Sequence, residues 1–433
     1  MADRTIEVAL LGLGVVGTGV ARAIQDKAGL YREWLGIPLH LRRILVRDSL
    51  KPRDLQLTEG IITADYSDIA DDGSVQIVIE VMGGEHPAYE YMKAALEQGR
   101  YVVTANKEVI AKHGSELLSL AAKSGVDLFY EASVGGGIPI ISSLKRDLSA
   151  NEIRSVRAII NGTTNYILTR MSKDGINFSE ALAQAQALGY AEADPSNDVE
   201  GRDAVYKLAI LASLAFQCEI KPDAVHQEGI TRLTARDFRY ARELGYAIKL
   251  LAVADRQSDG SGAVQARVYP ALVPEEELLS KVDGVLNAVE VEGDLAGRVL
   301  FQGAGAGSLP TTSAVMADVL DAAMAISHHR PPASAGVRRA LPLRPMSELV
   351  TRYYVRLLVV DRPGVLADIA RCFGQNSVSI ASVIQKENDE EAQTAELVIM
   401  THPAREAAMQ ETLHGVKQLK AVRDIGNLLR VEG

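Results

Sequence analysis

The chain begins with an apolar segment, a cluster of glycines and a segment of helical spacing, and this order constrains the fold more than any other feature. Thr5–Leu11 is typical of a buried strand, and residues 12–17 read GLGVVG, which is the GxGxxG spacing. Gly12 allows a tight turn, Gly14 lets a pyrophosphate approach the backbone, and Gly17 lets the helix pack closely on the strand. This context favours a dinucleotide-binding turn over a glycine-rich loop without function.

The next 120 or so residues alternate between strand-like and helix-like segments. We predict strands at Leu39–Val46, Val75–Val81, Tyr101–Thr104 and Val126–Tyr130, and helices at Tyr89–Gln98 and Glu108–Ser124. The alternation is typical of a doubly wound α/β sheet, in which ligands lie beyond the carboxyl ends of the strands. Lys107 follows one such end, at a helix start where a cation is unfavourable unless it faces a ligand.

Two further strand ends suggest what the nucleotide domain binds. Arg47 and Asp48 follow the second strand, and an arginine there favours the 2′-phosphate of NADP, whereas an acid favours the ribose of NAD. Arg47 comes first, so we predict NADP and leave NAD as the alternative. Glu131 precedes three glycines at 135–137, and carbonyls beside a carboxylate suit a hard cation. A plain loop would have the same composition.

Residues 189–207 read GYAEADPSNDVEGRDAVYK and carry five acids before one amine. The charged residues are Glu192, Asp194, Asp198, Glu200, Asp203 and Lys207, with Arg202 between the last acids. Asp203 and Lys207 are four apart in a predicted helix and therefore share one helix face. The segment is either a solvated helix start with an ion pair or a pocket for a small zwitterion with a proton-transfer group.

The C-terminal part predicts a return to the first domain and then a separate module. A second glycine run at 303–307 precedes the apolar helix Ala314–Ala325, which we expect to rejoin the nucleotide domain. Residues 329–348 are rich in proline and arginine and are predicted to be a linker. After them the order β-α-β-β-α-β is ferredoxin-like, with its last strand predicted at Leu419–Ile425. That order alone also fits a silent dimerisation module.

Composition excludes several classes of function. A net charge of −10 argues against a nucleic-acid partner, and no apolar run approaches the ~18–20 residues that span a bilayer. Two cysteines, Cys218 and Cys372, cannot form a disulfide framework or a metal set. We therefore expect a cytoplasmic protein that lies outside the membrane.

Several motifs occur in one order: GLGVVG, TANK, EASVGGGIP, NGTTNYIL, GYAEADPSND with GRDA and a lysine, and DRPGVL in the tail. Together they resemble homoserine dehydrogenases of the long bacterial form, over nearly the whole chain. The resemblance implies a Rossmann domain at 1–150 completed by about 304–328, an α+β substrate and dimerisation domain at 151–303, and an ACT domain at 349–433. It implies NAD(P)-dependent interconversion of L-aspartate 4-semialdehyde and L-homoserine, a threonine effector, and a homodimer or homotetramer.

The resemblance also implies roles for individual residues. Lys207 would transfer the proton at the reacting oxygen, Asp203 would orient it, and Lys107 would lie between cofactor and substrate. The substrate residues would be Glu192, Asp198, Thr163 and Lys107. The cofactor residues would be Gly12, Gly14, Val15, Val16, Gly17, Arg47, Thr104, Lys107 and Gly305. A sodium-like ion would be held by Glu131 and the carbonyls of Val134, Gly136 and Ile138, and the effector by Asp361, Gly364, Val365 and Leu366.

Hydride transfer to an aldehyde develops negative charge on oxygen, which an ammonium group stabilises and protonates. Whether Lys207 or Lys107 delivers the proton stays open. A phosphorylating semialdehyde dehydrogenase is the nearest alternative, but it needs a reactive cysteine. We expect Cys218 in mid-helix and Cys372 in the tail, so that chemistry is disfavoured. A non-catalytic sensor of nucleotide and amino acid is the alternative from another class.

Overall fold

The chain forms two compact units in a computed structural model that describes residues 5–53, 55–257, 261–331, 341–389 and 393–433. The first unit comprises Met1–Val156, Tyr206–Asp223 and Asn287–Ala340. The second comprises Arg157–Val205, Ala224–Leu286 and Leu341–Gly433. The predicted linker at 329–348 lies partly outside the described residues. The predicted domain boundaries stay predictions.

The first unit contains a six-stranded parallel sheet. From edge to edge its strands are Ile62–Thr63, Leu39–Leu45, Ile6–Leu11, Val75–Glu80, Tyr101–Thr104 and Leu128–Phe129. The strand Ile6–Leu11 is buried along almost its whole length, as expected when helices cover both faces. The strand order reverses between Ile6–Leu11 and Val75–Glu80, so the Rossmann-type switch point lies at the glycine turn.

Several helices belong to the same unit. They are Val15–Asp26, Ala28–Leu35, Ser67–Ala70, Ala88–Glu97, Lys107–Lys123, Ile140–Ser142 and Ser308–Ser327. Among the described helices, Ser308–Ser327 is long and apolar enough to cross a membrane by length and composition. Its Val315 and Val319 are nevertheless fully buried in the hydrophobic core beside Val20. It is therefore a core helix, and it returns to the nucleotide domain as expected.

The second unit contains one sheet that runs through both the middle of the chain and its C-terminal module. Within this unit, consecutive strands of the sheet are Tyr246–Arg256, Val264–Pro274, Val422–Val431, Tyr353–Val360, Thr394–Thr401 and Ile380–Asp389, and His226–Gln227 also pairs with Val264–Pro274. The last four of the consecutive strands form the sheet of the ferredoxin-like module, with the helices Val365–Gln375 and Glu406–Lys417. The C-terminal strand pairs in parallel with Val264–Pro274 and antiparallel with Tyr353–Val360. The module is thus an extension of the middle sheet.

The remaining elements carry the middle of the chain. The helices are Gly162–Asp174, Phe178–Ala187, Ser196–Val199, Arg202–Ala215 and Ala235–Glu243, and the strands are Ile153–Ile159, His226–Gln227, Leu286–Gly293 and Gly297–Ala304. A two-residue pair, Val350–Thr351 with Ala404–Arg405, completes the set.

Some expectations about elements were wrong. The helices Ala28–Leu35 and Ala235–Glu243 and the strand Gly297–Ala304 were not predicted. The last strand is Val422–Val431 and not Leu419–Ile425, because it continues to pair with Tyr353–Val360 and its last two residues also pair with Val264–Pro274. Cys218 lies beyond the end of the helix Arg202–Ala215 and not within it, although it is buried.

Candidate active site

The glycine turn has the geometry of a dinucleotide-binding turn. Gly12 has a φ of 101°, and a Cβ added to Gly17 would lie 2.1 Å from the Gly12 carbonyl oxygen, so helix and strand pack in close contact there. Nothing lies within 4 Å of a Cβ added to Gly14, which caps the helix Val15–Asp26. Exposed backbone N–H groups at this helix start are therefore open to a phosphate.

A cavity of about 280 Å³ adjoins this turn and brings both candidate lysines together. Lys107 is the first residue of the helix Lys107–Lys123, and Lys207 lies on Arg202–Ala215. Other predicted site residues that line the same cavity are Val16, Gly136 and Gly305. The sequence places these residues far apart, and the cavity unites them.

Close backbone packing forms one wall of this cavity. A Cβ added to Gly136 would lie 2.6 Å from the Gly305 carbonyl oxygen, and one added to Gly305 would lie 1.7 Å from Asn287 Oδ1. Gly136 has a φ of 56°, which also favours glycine. These two glycines are needed to build the wall, whatever they bind.

The residues around Lys107 are held by a buried hydrogen-bond network. Thr104 Oγ1 donates to Glu80 Oε2 at 2.6 Å and accepts from Asn106 N at 2.9 Å. Asn106 caps the Lys107 helix through Val109 N and donates to the Gly84 carbonyl at 2.7 Å. Burial raises the pKa of Glu80. The Thr104 side chain thus supports the cavity wall and does not line it.

The loop after the second strand leaves Arg47 exposed. Asp48 Oδ1 accepts from Leu50 N at 2.9 Å, and Arg53 donates to the Asp48 carbonyl at 2.6 Å. The Asp48 carboxylate therefore stabilises its own turn, while the Arg47 guanidinium faces solvent.

Glu131 is buried, and backbone N–H groups surround its carboxylate. Its oxygens accept from Ile141 N at 2.8 Å and Ser142 N at 2.6 Å, at the start of the helix Ile140–Ser142. Its own N–H donates to Asp318 Oδ2 at 2.8 Å. Burial raises the pKa of Asp318 to about 8. Asp318 was not predicted, because its partner Glu131 is 187 residues away in the sequence.

In the second unit one amide joins two of the predicted acids. Asn161 caps the helix Gly162–Asp174 by accepting from Thr164 N at 2.9 Å. Its Nδ2 donates to Asp198 Oδ1 at 2.6 Å and to Asp203 Oδ2 at 2.9 Å. Asp203 is buried and Asp198 is half-buried. Asn161 is the first residue of the NGTTNYIL motif, and its role as a bridge was missed.

Thr163 and the remaining acids of the segment 189–207 have different surroundings from Asp198 and Asp203. Thr163 Oγ1 donates to the Tyr190 carbonyl at 2.6 Å, and the Glu192 side chain is exposed. Asp194 Oδ1 accepts from Ser196 N at 3.1 Å, just before the short helix Ser196–Val199, and Glu200 pairs with Arg202 at 3.0 Å. The segment is therefore neither a uniform solvated helix start nor a single cluster of acids.

The loop of the C-terminal module has an exposed Asp361 and a Gly364 with a φ of 93° that caps the helix Val365–Gln375. Val365 is buried in the core of the module and Leu366 is exposed.

Comparison with known proteins identifies the family. The homoserine dehydrogenase model matches residues 139–320, the NAD-binding domain model of the same family matches 12–131, and the ACT domain model matches 353–418. A homoserine dehydrogenase of Synechocystis sp. is 43% identical over 99% of each chain. The chain belongs to the homoserine dehydrogenase family.

Other members of this family are similarly close. A homoserine dehydrogenase of Corynebacterium glutamicum is 40% identical over 99% of this chain and 96% of that one. The crystal structure of a homoserine dehydrogenase from Thiobacillus denitrificans superposes with a TM-score of 0.92 at 40% identity, covering 99% of this chain and 98% of that one. The predicted family, the α/β fold class and the oxidoreductase activity are confirmed.

Proposed function

We propose that this oxidoreductase interconverts L-aspartate 4-semialdehyde and L-homoserine, with Lys207 as the proton-transfer residue. The observation that carries the proposal is that Lys207 and Lys107 line one cavity beside the dinucleotide turn. Reduction of the aldehyde adds a hydride to carbon and a proton to oxygen. An ammonium group at that oxygen stabilises the developing charge and supplies the proton.

Lys107 has a supporting role in this proposal. Its position at the start of a helix, fixed by the Asn106 cap, places a cation beside the cavity at a helix end that disfavours cations. We assign it to the region between cofactor and substrate, where it orients the reacting groups. Because both lysines line the cavity, single substitutions of Lys107 and of Lys207 are needed to distinguish their roles.

Asp198 and Asp203 are proposed to bind the substrate ammonium group and to orient Lys207. The support is the Asn161 amide, which bridges both carboxylates. Asp203 also lies one helical turn before Lys207 on the same helix. Glu192 and Thr163 stay proposed substrate residues on the resemblance alone, since the Glu192 side chain is exposed and the Thr163 hydroxyl donates to a carbonyl.

The residues at the glycine turn fit a dinucleotide, because the space beside Gly14 is open and the helix N–H groups point toward it. When bound, the nicotinamide gives or takes the hydride. We propose NADP as the preferred form, since Arg47 is exposed and the Asp48 carboxylate is engaged in its own turn. A hyperthermophilic archaeal homoserine dehydrogenase, 28% identical with a TM-score of 0.62 over 74% of this chain and 98% of that one, was solved in complex with NADPH.

A monovalent cation, sodium in the first instance, is proposed near Glu131. One carboxylate and the carbonyls of Val134, Gly136 and Ile138 form an all-oxygen donor set that suits a hard cation. The Glu131 oxygens already accept two backbone N–H groups, and the Ile138 carbonyl accepts from Ile140 N at 2.9 Å. The residues fit a weakly held ion better than a tightly held one.

We also propose that the enzyme is a cytoplasmic homodimer or homotetramer in threonine and methionine biosynthesis.

Threonine is the proposed effector of the ACT domain, bound at Asp361, Gly364, Val365 and Leu366. Threonine lies downstream of homoserine, so feedback inhibition is the expected effect. Asp361→Ala should reduce threonine inhibition and keep basal turnover. Full inhibition in that variant would place the effector elsewhere.

The deciding experiment is a homoserine oxidation assay with NADP and with NAD, with and without threonine, and with sodium replaced by potassium or an organic cation. We expect a lower KM for NADP than for NAD. Lys207→Ala should lower kcat by at least about a hundredfold, while equilibrium NADPH binding survives.

The matched control for this test is Lys123→Ala, since Lys123 is exposed at the far end of the Lys107 helix. It should keep normal turnover. Wild-type turnover in Lys207→Ala would refute the assigned role, and it would favour a protein that binds nucleotide through this cavity without using Lys207 in catalysis.

A further inference from the structure

Arg430, on the strand Val422–Val431, contacts Glu228 in the middle of the chain. Arg430 is 2% exposed, and its guanidinium donates to both carboxylate oxygens of Glu406 at 2.6 and 3.1 Å. Its Nη1 also donates to Glu228 Oε2 at 2.5 Å. The other oxygen of Glu228 lies 2.9 Å from His226 Nε2. The Arg430 guanidinium thus joins one carboxylate of its own module to one from the middle of the chain.

Glu228 stays charged in this arrangement. Burial alone would raise the pKa of its carboxyl, but the His226 hydrogen bond and the Arg430 charge outweigh that effect and lower it to about 2. The Arg430 side chain is 2% exposed and that of Glu228 is 33% exposed, so removing Arg430 leaves a half-buried carboxylate without this counter-charge. The Glu228 carboxylate is therefore held by Arg430 and His226, while the Glu228 backbone N–H donates to the Val268 carbonyl at 2.8 Å.

The segment 227–230 around Glu228 holds the turn at residues 199–201. The first carbonyl of that turn accepts from Ile230 N at 2.9 Å, and the second accepts from Gln227 Nε2 at 2.7 Å. A Cβ added to Gly229 would lie 2.5 Å from the first of these carbonyl oxygens. The two backbones are in direct contact, so the turn follows any movement of the segment.

The turn separates the two acids that Asn161 bridges. Asp198 immediately precedes it and Asp203 follows it, and the N–H of Gly201 closes it on the Asp198 carbonyl at 2.9 Å. The amide of Asn161 donates to both carboxylates, so it links the acids on the two sides of the turn. A change in the shape of the turn would therefore change the distance between the carboxylates.

We propose that Arg430 is a positioning residue for substrate binding, which acts through Glu228 and the turn at 199–201 to set the spacing of Asp198 and Asp203. The proposal rests on the substrate-binding role proposed above for these two acids. It assigns the C-terminal module a part in the basal reaction, in addition to any response to an effector.

The same module offers a matched control. Arg356 is also buried, and its guanidinium donates to Asp237 at 2.7 Å and to Glu396 at 3.2 Å. This second pair links the module to the helix Ala235–Glu243 and not to the segment 227–230. Substitution of Arg356 therefore weakens the packing of the module without removing an ion pair to the segment 227–230.

The test compares steady-state kinetics of Arg430→Met, Arg430→Lys and Arg356→Met in the full chain. We expect Arg430→Met to raise KM for homoserine roughly tenfold, because small misplacements of binding groups carry large penalties, and to leave KM for NADP unchanged. Arg430→Lys should recover part of the loss. Arg356→Met should lower the thermal unfolding temperature and leave KM for homoserine within about twofold.

Two outcomes would overturn the proposal. One is a folded Arg430→Met enzyme with wild-type KM for homoserine, and the other is an equal rise in KM in Arg356→Met. If Arg430→Met does not fold, Glu228→Gln keeps the shape of the side chain and tests the same step, with the same rise expected. The Arg430→Lys/Glu228→Gln double variant should be no worse than the worse single variant.

Asp198→Asn separates this proposal from the site assignment on which it rests. Unchanged KM for homoserine in Asp198→Asn would refute the substrate role of that acid. A raised KM in Asp198→Asn together with an unchanged KM in Arg430→Met would refute the positioning role alone.

Discussion

Asp318 is a single buried acid whose charge state differs between the folded and unfolded chain. Burial raises its pKa to about 8 from an ordinary value of 3.8, so the folded protein keeps a proton that the unfolded chain releases. The stability from this group is fully present below about pH 4 and is lost as the pH rises toward 8. It supports the Glu131 backbone, and hence the wall that carries the proposed cation site.

We therefore predict that Asp318→Asn flattens the dependence of stability on pH. The free energy of unfolding of the variant, relative to that of the wild type, should increase as the pH rises from 5 to 8, by at most about 1.4 kcal/mol per pH unit. Thermal unfolding at four pH values measures this difference. Asp321→Asn, on the same helix and less buried, controls for the loss of one carboxylate. Parallel curves for Asp318→Asn and the wild type would contradict the prediction.

Single residues also show where prediction from sequence ends. The capping role of Asn161 is local and could be predicted from the residues that follow it. Its bridge to Asp198 and Asp203 joins positions 37 and 42 residues apart, and no spacing rule connects them. For the same reason Glu80 and Asp318 were missed, since each matters through a distant backbone or side chain.

At the scale of elements, two glycine-to-alanine substitutions in the glycine turn should have different effects, one on NADPH binding and the other on stability. A Cβ at Gly14 would meet nothing within 4 Å, whereas a Cβ at Gly17 would lie 2.1 Å from the Gly12 carbonyl oxygen. We predict that Gly14→Ala unfolds near the wild-type temperature but binds NADPH more weakly, because the methyl group occupies the space proposed for the pyrophosphate.

Gly17→Ala should instead lose about 1–3 kcal/mol of stability through overpacking. Thermal unfolding and NADPH titration of both variants distinguish the two effects. A Gly14→Ala protein with normal NADPH affinity would show that the phosphates approach elsewhere.

Elements were predictable where their signals are local. The strand, glycine turn and helix at residues 6–26 and the ferredoxin-like order of the tail follow from spacing and turn residues, and both are confirmed. The strand Gly297–Ala304 was missed because its residues show little burial and no clean alternation. The end of Val422–Val431 was missed because its partner there, Val264–Pro274, lies far away in the sequence.

At the scale of the whole chain, the C-terminal module is joined to the middle by a shared sheet and by buried ion pairs. Deleting residues 349–433 would remove two ion pairs to the middle of the chain, Arg356–Asp237 and Arg430–Glu228. It would also expose the edge of Val264–Pro274, and open strand edges promote aggregation. We predict that the truncated chain aggregates or loses cooperative unfolding, as size-exclusion chromatography and calorimetry would detect.

This expectation decides how regulation should be tested. Substitutions in the loop at 361–366 leave the shared sheet intact, whereas deletion does not. A monodisperse truncated enzyme with full activity would show that the module is a separable appendage.

The parallel pairing of Val264–Pro274 with Val422–Val431 also has a consequence for synthesis on the ribosome. The first strand emerges long before its neighbour, because the two strands lie far apart in the sequence. Until Val422–Val431 emerges, the nascent chain carries an incomplete sheet in which Glu228 lacks its ion pair with Arg430. This sheet is therefore completed late in synthesis, and a stop codon that removes Val422–Val431 should damage the fold although most of the chain has been made.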